Sequence, residues 1–165
     1  MPGAPGISRI KPARTGYSYY MFEVTAPYTA NFQLSELGFY SAGAYQSVGG
    51  AAPTGTRINP MRVSAPAGYP VGEEPEKMFD GNTATKHYNA SAFPLQIILY
   101  FDLPHKFIGY NWCTANDMTP ARNPDDWNVY GSNDGVNWTL LDAQTNLGAT
   151  PNTTFTWAVG WALPA

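Results

Sequence analysis

The sequence has a single cysteine, few charged side chains and no long apolar run. Cys113 has no partner for an internal disulfide or a zinc site, so we predict a small core residue there. The net charge of -3 offers no basic surface for nucleic acid or for an anionic membrane. Because a helix needs about 20 apolar residues to cross a bilayer, we also expect no membrane insertion.

Residues 1–16 lack acidic side chains and the apolar block of a secretory signal peptide. They contain three prolines, three glycines and three basic residues, which is typical of an extended arm. Such an arm either anchors the domain to another subunit or is a disordered leader, and the sequence favours neither. Without a signal peptide, we expect synthesis in the cytoplasm.

Turn residues and aromatic side chains are abundant, with 16 Gly, 15 Pro, 5 Trp, 11 Tyr and 8 Phe. Gly and Pro interrupt the chain so often that long helices are excluded. The hydrophobic content of 44% is enough to bury the core of one domain, which we predict over residues 17–165.

Alternation of apolar and polar residues predicts β-strands at residues 17–25 and 95–103. A further strand is predicted at residues 32–40, with a β-bulge or a bend at Ser35 and Glu36. The other predicted strands are 57–63, 107–113, 126–131, 138–142 and 155–161, and one helical turn is predicted at 73–79. Trp112, Trp127 and Trp138 lie in strand phase and are predicted core residues. Short strands without intervening helices indicate an all-β antiparallel sandwich or jelly roll.

The sequence offers few groups for catalysis. His87 and His105 are the only histidines, and no common nucleophile, zinc-protease or phosphate-loop motif is present. Asp125 and Asp126 are adjacent on a predicted strand, so their side chains point to opposite faces rather than into one pocket. We therefore predict that the protein is not an enzyme.

Two loops contain candidate binding groups. The turn Asp80-Gly81-Asn82, followed by threonines, supplies the oxygen ligands that calcium prefers, although an Asx-turn without an ion has the same sequence. Residues 114–125 combine amides, carboxylates and a guanidinium, which bind sugar hydroxyls, although any solvated loop can have this composition.

Several segments together resemble the discoidin family, that is, the coagulation factor type C domains, and above all the family 32 carbohydrate-binding modules. Residues 72–86, with Phe79-Asp80-Gly81-Asn82, are similar to the family's FDGN segment. Residues 95–103 and 108–112 are similar to two of its strands. Residues 125–141, with Ser132-Asn133-Asp134-Gly135, are similar to its most specific signature, and the similar segments together cover residues 72–146.

The family's last strand pair has its counterpart first in this chain, at residues 17–24 and 34–40, so the domain resembles a circular permutant. The resemblance implies an eight-stranded jelly-roll sandwich with the galactose-binding-like fold. The chain departs from the family at His87, where Trp is common, and in having no disulfide that joins the chain ends.

The resemblance also implies a structural calcium ion and a ligand-binding loop region. The implied calcium ligands are Asp80, Asn82, carbonyls near Lys77 and Thr85, and Glu36. The sugar-binding candidates in the variable loops are Arg122, Asn116, Asp117, His87 and Tyr88.

These observations predict a non-catalytic module that recognises a cell-surface or extracellular glycan, with weak single-site affinity raised by multiple copies. Resemblance to isolated sandwich domains of bacteriophage tails and capsids suggests a virion adhesin or decoration subunit on the virion surface. The alternative is a structural virion decoration protein that binds other capsid or tail subunits through residues 1–16 and recognises no sugar.

Overall fold

A computed structural model describes residues 16–164 of the chain. The strands are β1 (Tyr17–Pro27), β2 (Phe32–Leu34), β3 (Glu36–Ala42), β4 (Thr56–Arg57), β5 (Arg62–Ser64), β6 (His87–Asn89), β7 (Leu95–His105), β8 (Gly109–Cys113), β9 (Pro124–Ser132), β10 (Thr139–Gln144) and β11 (Trp161–Ala162). A short 3-10 helix, Pro75–Phe79, lies between β5 and β6. Within residues 16–164 no helix is long and apolar enough to cross a membrane. The predicted arm, apart from Gly16, lies outside the described residues.

The strands form antiparallel sheets around one core, as the sequence predicts. One sheet has the order β10-β9-β1-β7-β5, a second has the order β11-β8-β3-β4, and β2 pairs with β6 in a small third sheet. Aromatic rings of the two larger sheets meet across the core, with centroids 5.4 Å apart for Tyr20 and Phe39 and 6.1 Å apart for Trp112 and Trp127. The fold is therefore all-β and sandwich-like.

Two strands predicted from period-two alternation lie side by side at the centre of the five-stranded sheet. In β1 the buried residues Tyr20, Phe22 and Val24 point into the core. β7 buries Leu95, Ile97, Leu99 and Phe101 in the same way. Alternation predicts these strands well because each has one face against the core.

The predicted bulge at Ser35 is a complete change of sheet. β2 ends at Leu34 and pairs with β6, whereas β3 begins at Glu36 and pairs with β8. Ser35 holds the crossing point, since its backbone N–H donates to Cys113 O at 3.0 Å and its hydroxyl donates to Thr114 O at 2.8 Å. The apolar side chains before Ser35 and those after it are consequently both buried, although they belong to different sheets.

Two predicted strands differ from the structure. The predicted edge strand at residues 57–63 is split around Pro60 into β4, which pairs with β3, and β5, which pairs with β7. Residues 155–161 form only an isolated bridge between Trp157 and Cys113 before β11 begins. Phe155 has φ 54° and is exposed, so the alternation of aromatic residues in this segment does not reflect an extended strand.

The assignment of Trp138 to the core was wrong. Trp112 and Trp127 are buried in the main core cluster, and Cys113 is buried as predicted. Trp138 is only half-buried and lies outside that cluster, because it belongs to the turn before β10 rather than to the strand itself. The predicted helical turn at residues 73–79 is confirmed as the 3-10 helix, with Pro75 in its first turn.

The chain enters and leaves the sandwich at one end, which we call the terminal end. Gly16 and Pro164 line the same cavity there, with a volume of about 600 Å³. β1 then runs to the opposite end, where Pro27 pairs with Pro124 at the start of β9. We call this the loop end, because residues 28–31 and 114–123 meet there through backbone hydrogen bonds.

A buried polar relay within the core provides a test of the fold. The Tyr110 hydroxyl accepts a hydrogen bond from Trp127 Nε1 at 2.7 Å and donates to Asp142 Oδ2 at 2.6 Å. Tyr110→Phe leaves the buried indole N–H without an acceptor, so we expect it to lower the free energy of unfolding in urea by about 1–3 kcal/mol. Tyr19→Phe, on the outer face of β1, is the control and should change it by less than about 0.5 kcal/mol. Equal effects of the two variants would contradict this role of the relay.

Candidate functional site

Three of the five predicted sugar-binding residues meet at the loop end. The Arg122 guanidinium lies over the Tyr88 ring, with Cζ 4.6 Å from the ring centroid, and Nη1 lies 3.9 Å from Asp117 Oδ1. Arg122 Nη1 also donates to Gln33 Oε1 at 3.2 Å, and Lys86 Nζ donates to Asp117 Oδ1 at 2.6 Å. We call Gln33, Lys86, Tyr88, Asp117 and Arg122 the loop-end cluster.

Gln33 connects the other members of this cluster, and the sequence analysis missed it. It is fully buried in β2 and lies directly opposite Tyr88 of β6 in the antiparallel register. Its backbone N–H donates to Arg122 O at 3.0 Å, and its side-chain amide donates to the Asp117 main-chain carbonyl. The only sequence signal was an amide between two apolar residues of a short strand.

Charged and polar neighbours hold the exposed members in place. Lys86 is nearly buried, and its Nζ lies 3.8 Å from Glu73 Oε1 as well as against Asp117. The hydrogen bond from Lys86 lowers the pKa of Asp117, and the nearby Arg122 lowers it further. Asn31 Nδ2 donates to the Tyr88 hydroxyl at 2.7 Å. Lys86 was overlooked because the segment that contains it was interpreted only as a metal-binding turn.

His87 is beneath the cluster rather than in it. Because side chains alternate along β6, it points away from Tyr88 and is fully buried between Phe32 and Tyr69. Nδ1 lies 2.7 Å from Glu73 O and donates to it, whereas Nε2 has no hydrogen-bond partner in the part of the chain described. Burial lowers the pKa of His87 to about 4.

The remaining predicted residue, Asn116, is exposed on the loop before Asp117, and its side chain makes no hydrogen bond to any described residue. Two residues later Met118 adopts φ 47° and is 52% exposed. Arg122 N donates to Met118 O at 3.1 Å, so this strained residue belongs to the turn that brings Arg122 back onto Tyr88.

The predicted metal-binding turn has its oxygen atoms close together. The Thr85 hydroxyl lies 2.7 Å from Asp80 Oδ2 and 2.8 Å from Asn82 O. Asp80 Oδ1 accepts from Asn82 N at 2.9 Å, and Asn82 Oδ1 accepts from Ala84 N at 3.0 Å. The side chains of Asp80 and Asn82 therefore form the Asx-turn that the sequence left as the alternative. An Asx-turn does not exclude an ion, because a carboxylate and a carbonyl oxygen still lie within 3 Å of the Thr85 hydroxyl oxygen.

Glu36 joins this turn from β3. It is 1% exposed; Oε2 lies 2.5 Å from Arg57 Nη1, and Oε1 has no hydrogen-bond partner within residues 16–164. Burial raises the pKa of Glu36; Arg57 opposes the shift and the neighbouring Asp80 adds to it. Arg57 is itself tied to the main-chain carbonyls of Leu37 and Met78.

The Glu36 carboxylate thus pairs with Arg57 beside the Asp80 carboxylate, and its Oε1 lies there without a hydrogen-bond partner among residues 16–164. The donor set fits a hard divalent cation held by Glu36, Asp80 and Thr85, with main-chain carbonyls completing it. Within the described residues no three His, Cys, Asp or Glu side chains are grouped to hold a metal. Most ligands of such an ion would therefore be carbonyl, hydroxyl or water oxygens.

Comparison with known proteins gives one short similarity. A segment of 43 residues, 26% of this chain, is 49% identical to part of a peptide-N(4)-(N-acetyl-beta-glucosaminyl)asparagine amidase from Arabidopsis thaliana, and it spans 6% of that protein. No family model and no solved structure matches the chain.

The buried His87 predicts a stability change on mild acidification. The unfolded side chain binds a proton near pH 6.5, whereas folded His87 remains neutral down to about pH 4. Lowering the pH through this window therefore favours unfolding, by about 3 kcal/mol in total for this group, with no further loss below the folded pKa.

Urea denaturation of the wild type and His87→Gln between pH 7.5 and 4 tests this. Gln keeps a donor for the Glu73 carbonyl but does not titrate, so the difference in unfolding free energy between the two proteins should narrow with acidification. The carboxylates, including Glu74 near His87, titrate in both proteins and cancel from that difference. If the difference in unfolding free energy is constant with pH, protonation of His87 does not destabilise the folded protein and the prediction is wrong.

Proposed function

We propose that the protein is a non-catalytic glycan-binding module whose ligand binds at the loop-end cluster. The observation that carries this proposal is the packing of Arg122 over Tyr88 beside the half-exposed Asp117. Such a set supplies a fork of donors, a carboxylate acceptor and an aromatic surface. Sugars need these same groups, because hydroxyls bind in donor and acceptor pairs while ring C–H groups pack against an aromatic face.

The position of the cluster supports a recognition role. It lies at the loop end, whereas Gly16 and Pro164 lie together at the terminal end. A subunit attached through its chain ends would present the cluster outward. This arrangement suits a module on the surface of a virion, either an adhesin or a decoration subunit of tail or capsid, in which many copies raise a weak single-site affinity.

The proposal includes a fold assignment and a structural ion. The antiparallel sandwich-like sheets are compatible with a jelly roll of the galactose-binding-like type, in a permuted discoidin-like domain. Calcium is proposed at the turn from Asp80 to Thr85, with Glu36 as the ligand from β3, because the orphaned Glu36 oxygen and two carboxylates favour a cation there. The ion would brace the segment that leads into Lys86 and Tyr88.

Glycan binding is tested on a broad glycan array with the purified chain. Arg122→Ala should weaken binding to any glycan that the wild type recognises by about 10- to 100-fold, since a hydrogen bond to a charged group contributes about 1.5–3 kcal/mol. Arg62→Ala is the matched control, because Arg62 also covers a tyrosine ring, Tyr100 at 4.7 Å, but on the outer face of the five-stranded sheet. Arg62→Ala should keep full binding.

A silent array with folded protein would instead favour the structural decoration protein anchored through residues 1–16. Equal losses from Arg122→Ala and Arg62→Ala would show that binding does not occur at the loop-end cluster.

Calcium binding is tested by thermal unfolding in calcium and in chelator. Calcium at about 100 times its Kd should stabilise the wild type by about 2.7 kcal/mol, or about 5–10 °C in Tm. Asp80→Asn should abolish most of this shift, whereas Asp102→Asn, an exposed carboxylate at the far end of β7, should retain it. A wild-type Tm that is the same in calcium and in chelator would rule out the ion.

A further inference from the structure

We propose that Asp117 determines the charge specificity of the loop-end cluster, so that the site accepts uncharged sugars and excludes sugars that carry a carboxylate or sulfate. This inference deepens the proposed function and rests on it for the assumption that the ligand is a sugar. The rejection of anions by the wild-type cluster can be measured whether or not the protein binds a sugar.

The charges of the cluster are balanced around Asp117. Two cations, Lys86 and Arg122, approach Asp117 Oδ1 at 2.6 and 3.9 Å. A second carboxylate, Glu73, lies 3.8 Å from Lys86 Nζ. Each of the two cations therefore has a carboxylate within 4 Å. A ligand carboxylate would find no unpaired cation in the cluster.

Both cations are packed against other residues of the protein. Lys86 is 7% exposed, so its ammonium group is held in position by the surrounding protein. Arg122 Cζ lies over the Tyr88 ring, 4.6 Å from its centroid, and Nη1 donates to the buried Gln33. Asp117, with half of its side chain exposed, is the carboxylate that contacts both cations.

Asp117→Asn changes the charge and leaves the shape almost intact. The loop remains tied down, because the Gln33 side-chain amide donates to the main-chain carbonyl of Asp117, which the substitution keeps. The substitution leaves Arg122 without a carboxylate at its Nη1 and leaves Lys86 with Glu73 alone. An anion then gains charge-assisted hydrogen bonds at a site where the wild type repels it.

The experiment is an NMR titration of the full-length wild type and Asp117→Asn with sodium sulfate at constant ionic strength. Asp117→Asn should bind sulfate at least about tenfold more tightly than the wild type, with shifts confined to the loop-end cluster. Asp117→Asn combined with Arg122→Ala should lose the gain. Asp102→Asn, which changes the net charge equally but lies far from the cluster, should behave as the wild type. If Asp117→Asn fails to fold, Asp117→Ser is titrated instead and should show the same gain in sulfate affinity of at least about tenfold.

The same proteins are then titrated with methyl glucoside and methyl glucuronide, which differ in whether carbon 6 carries a hydroxyl or a carboxylate. The ratio of glucuronide to glucoside affinity should rise by about tenfold or more in Asp117→Asn. Wild-type binding of sulfate as tight as that of the variant, or no gain in a folded variant, would overturn the proposal. A sulfate gain in Asp117→Asn without binding of any sugar would uphold the charge role of Asp117 and reject the proposed function.

Discussion

The change of sheet at Ser35 is the constraint on which both candidate sites depend. Two hydrogen bonds from Ser35, to the last residue of β8 and to the residue after it, divide one apolar segment between the small β2–β6 sheet and the four-stranded sheet. On one side of the break, Gln33 is delivered to the loop-end cluster. On the other side, Glu36 is buried beneath the turn at Asp80. A continuous strand would have kept both residues in one sheet, so it could not have joined Gln33 to β6 and Glu36 to β8.

Local periodicity predicted the strands that have one face against the core. It failed for segments whose conformation depends on pairing with distant strands. β1 and β7 follow the period-two pattern closely, so their positions and buried faces were predictable. The split of residues 56–64 between two sheets was not, because periodicity carries no information about which sheet a strand joins. Aromatic alternation at residues 155–161 was misleading, since Phe155 lies in a turn with φ 54° and only Trp157 forms a bridge before β11.

Three residues of the candidate site were predictable from residue chemistry, whereas the buried residues that hold them in place were not. Arg122 and Asp117 lie in one polar loop, and the resemblance pointed to Tyr88 in a distant segment, so three contact residues could be selected. Gln33 and Lys86 could not be selected on the same grounds. Their roles depend on the β2–β6 register and on burial, and both arise only when the chain folds. The same burial places His87 beneath the cluster.

The two candidate sites have opposite charge balances, and one short segment connects them. At the loop-end cluster two cations meet the carboxylate of Asp117 and that of the adjacent Glu73, which suits an uncharged ligand. At the turn, Glu36 pairs with Arg57 and lies beside a second carboxylate, Asp80, which leaves negative charge for a cation to neutralise. Residues 80–88 run from that turn directly into the strand that carries Tyr88. An ion that orders the turn would therefore lower the entropy cost of holding the cluster ready for a ligand, which is how a structural site without ligand contacts strengthens binding.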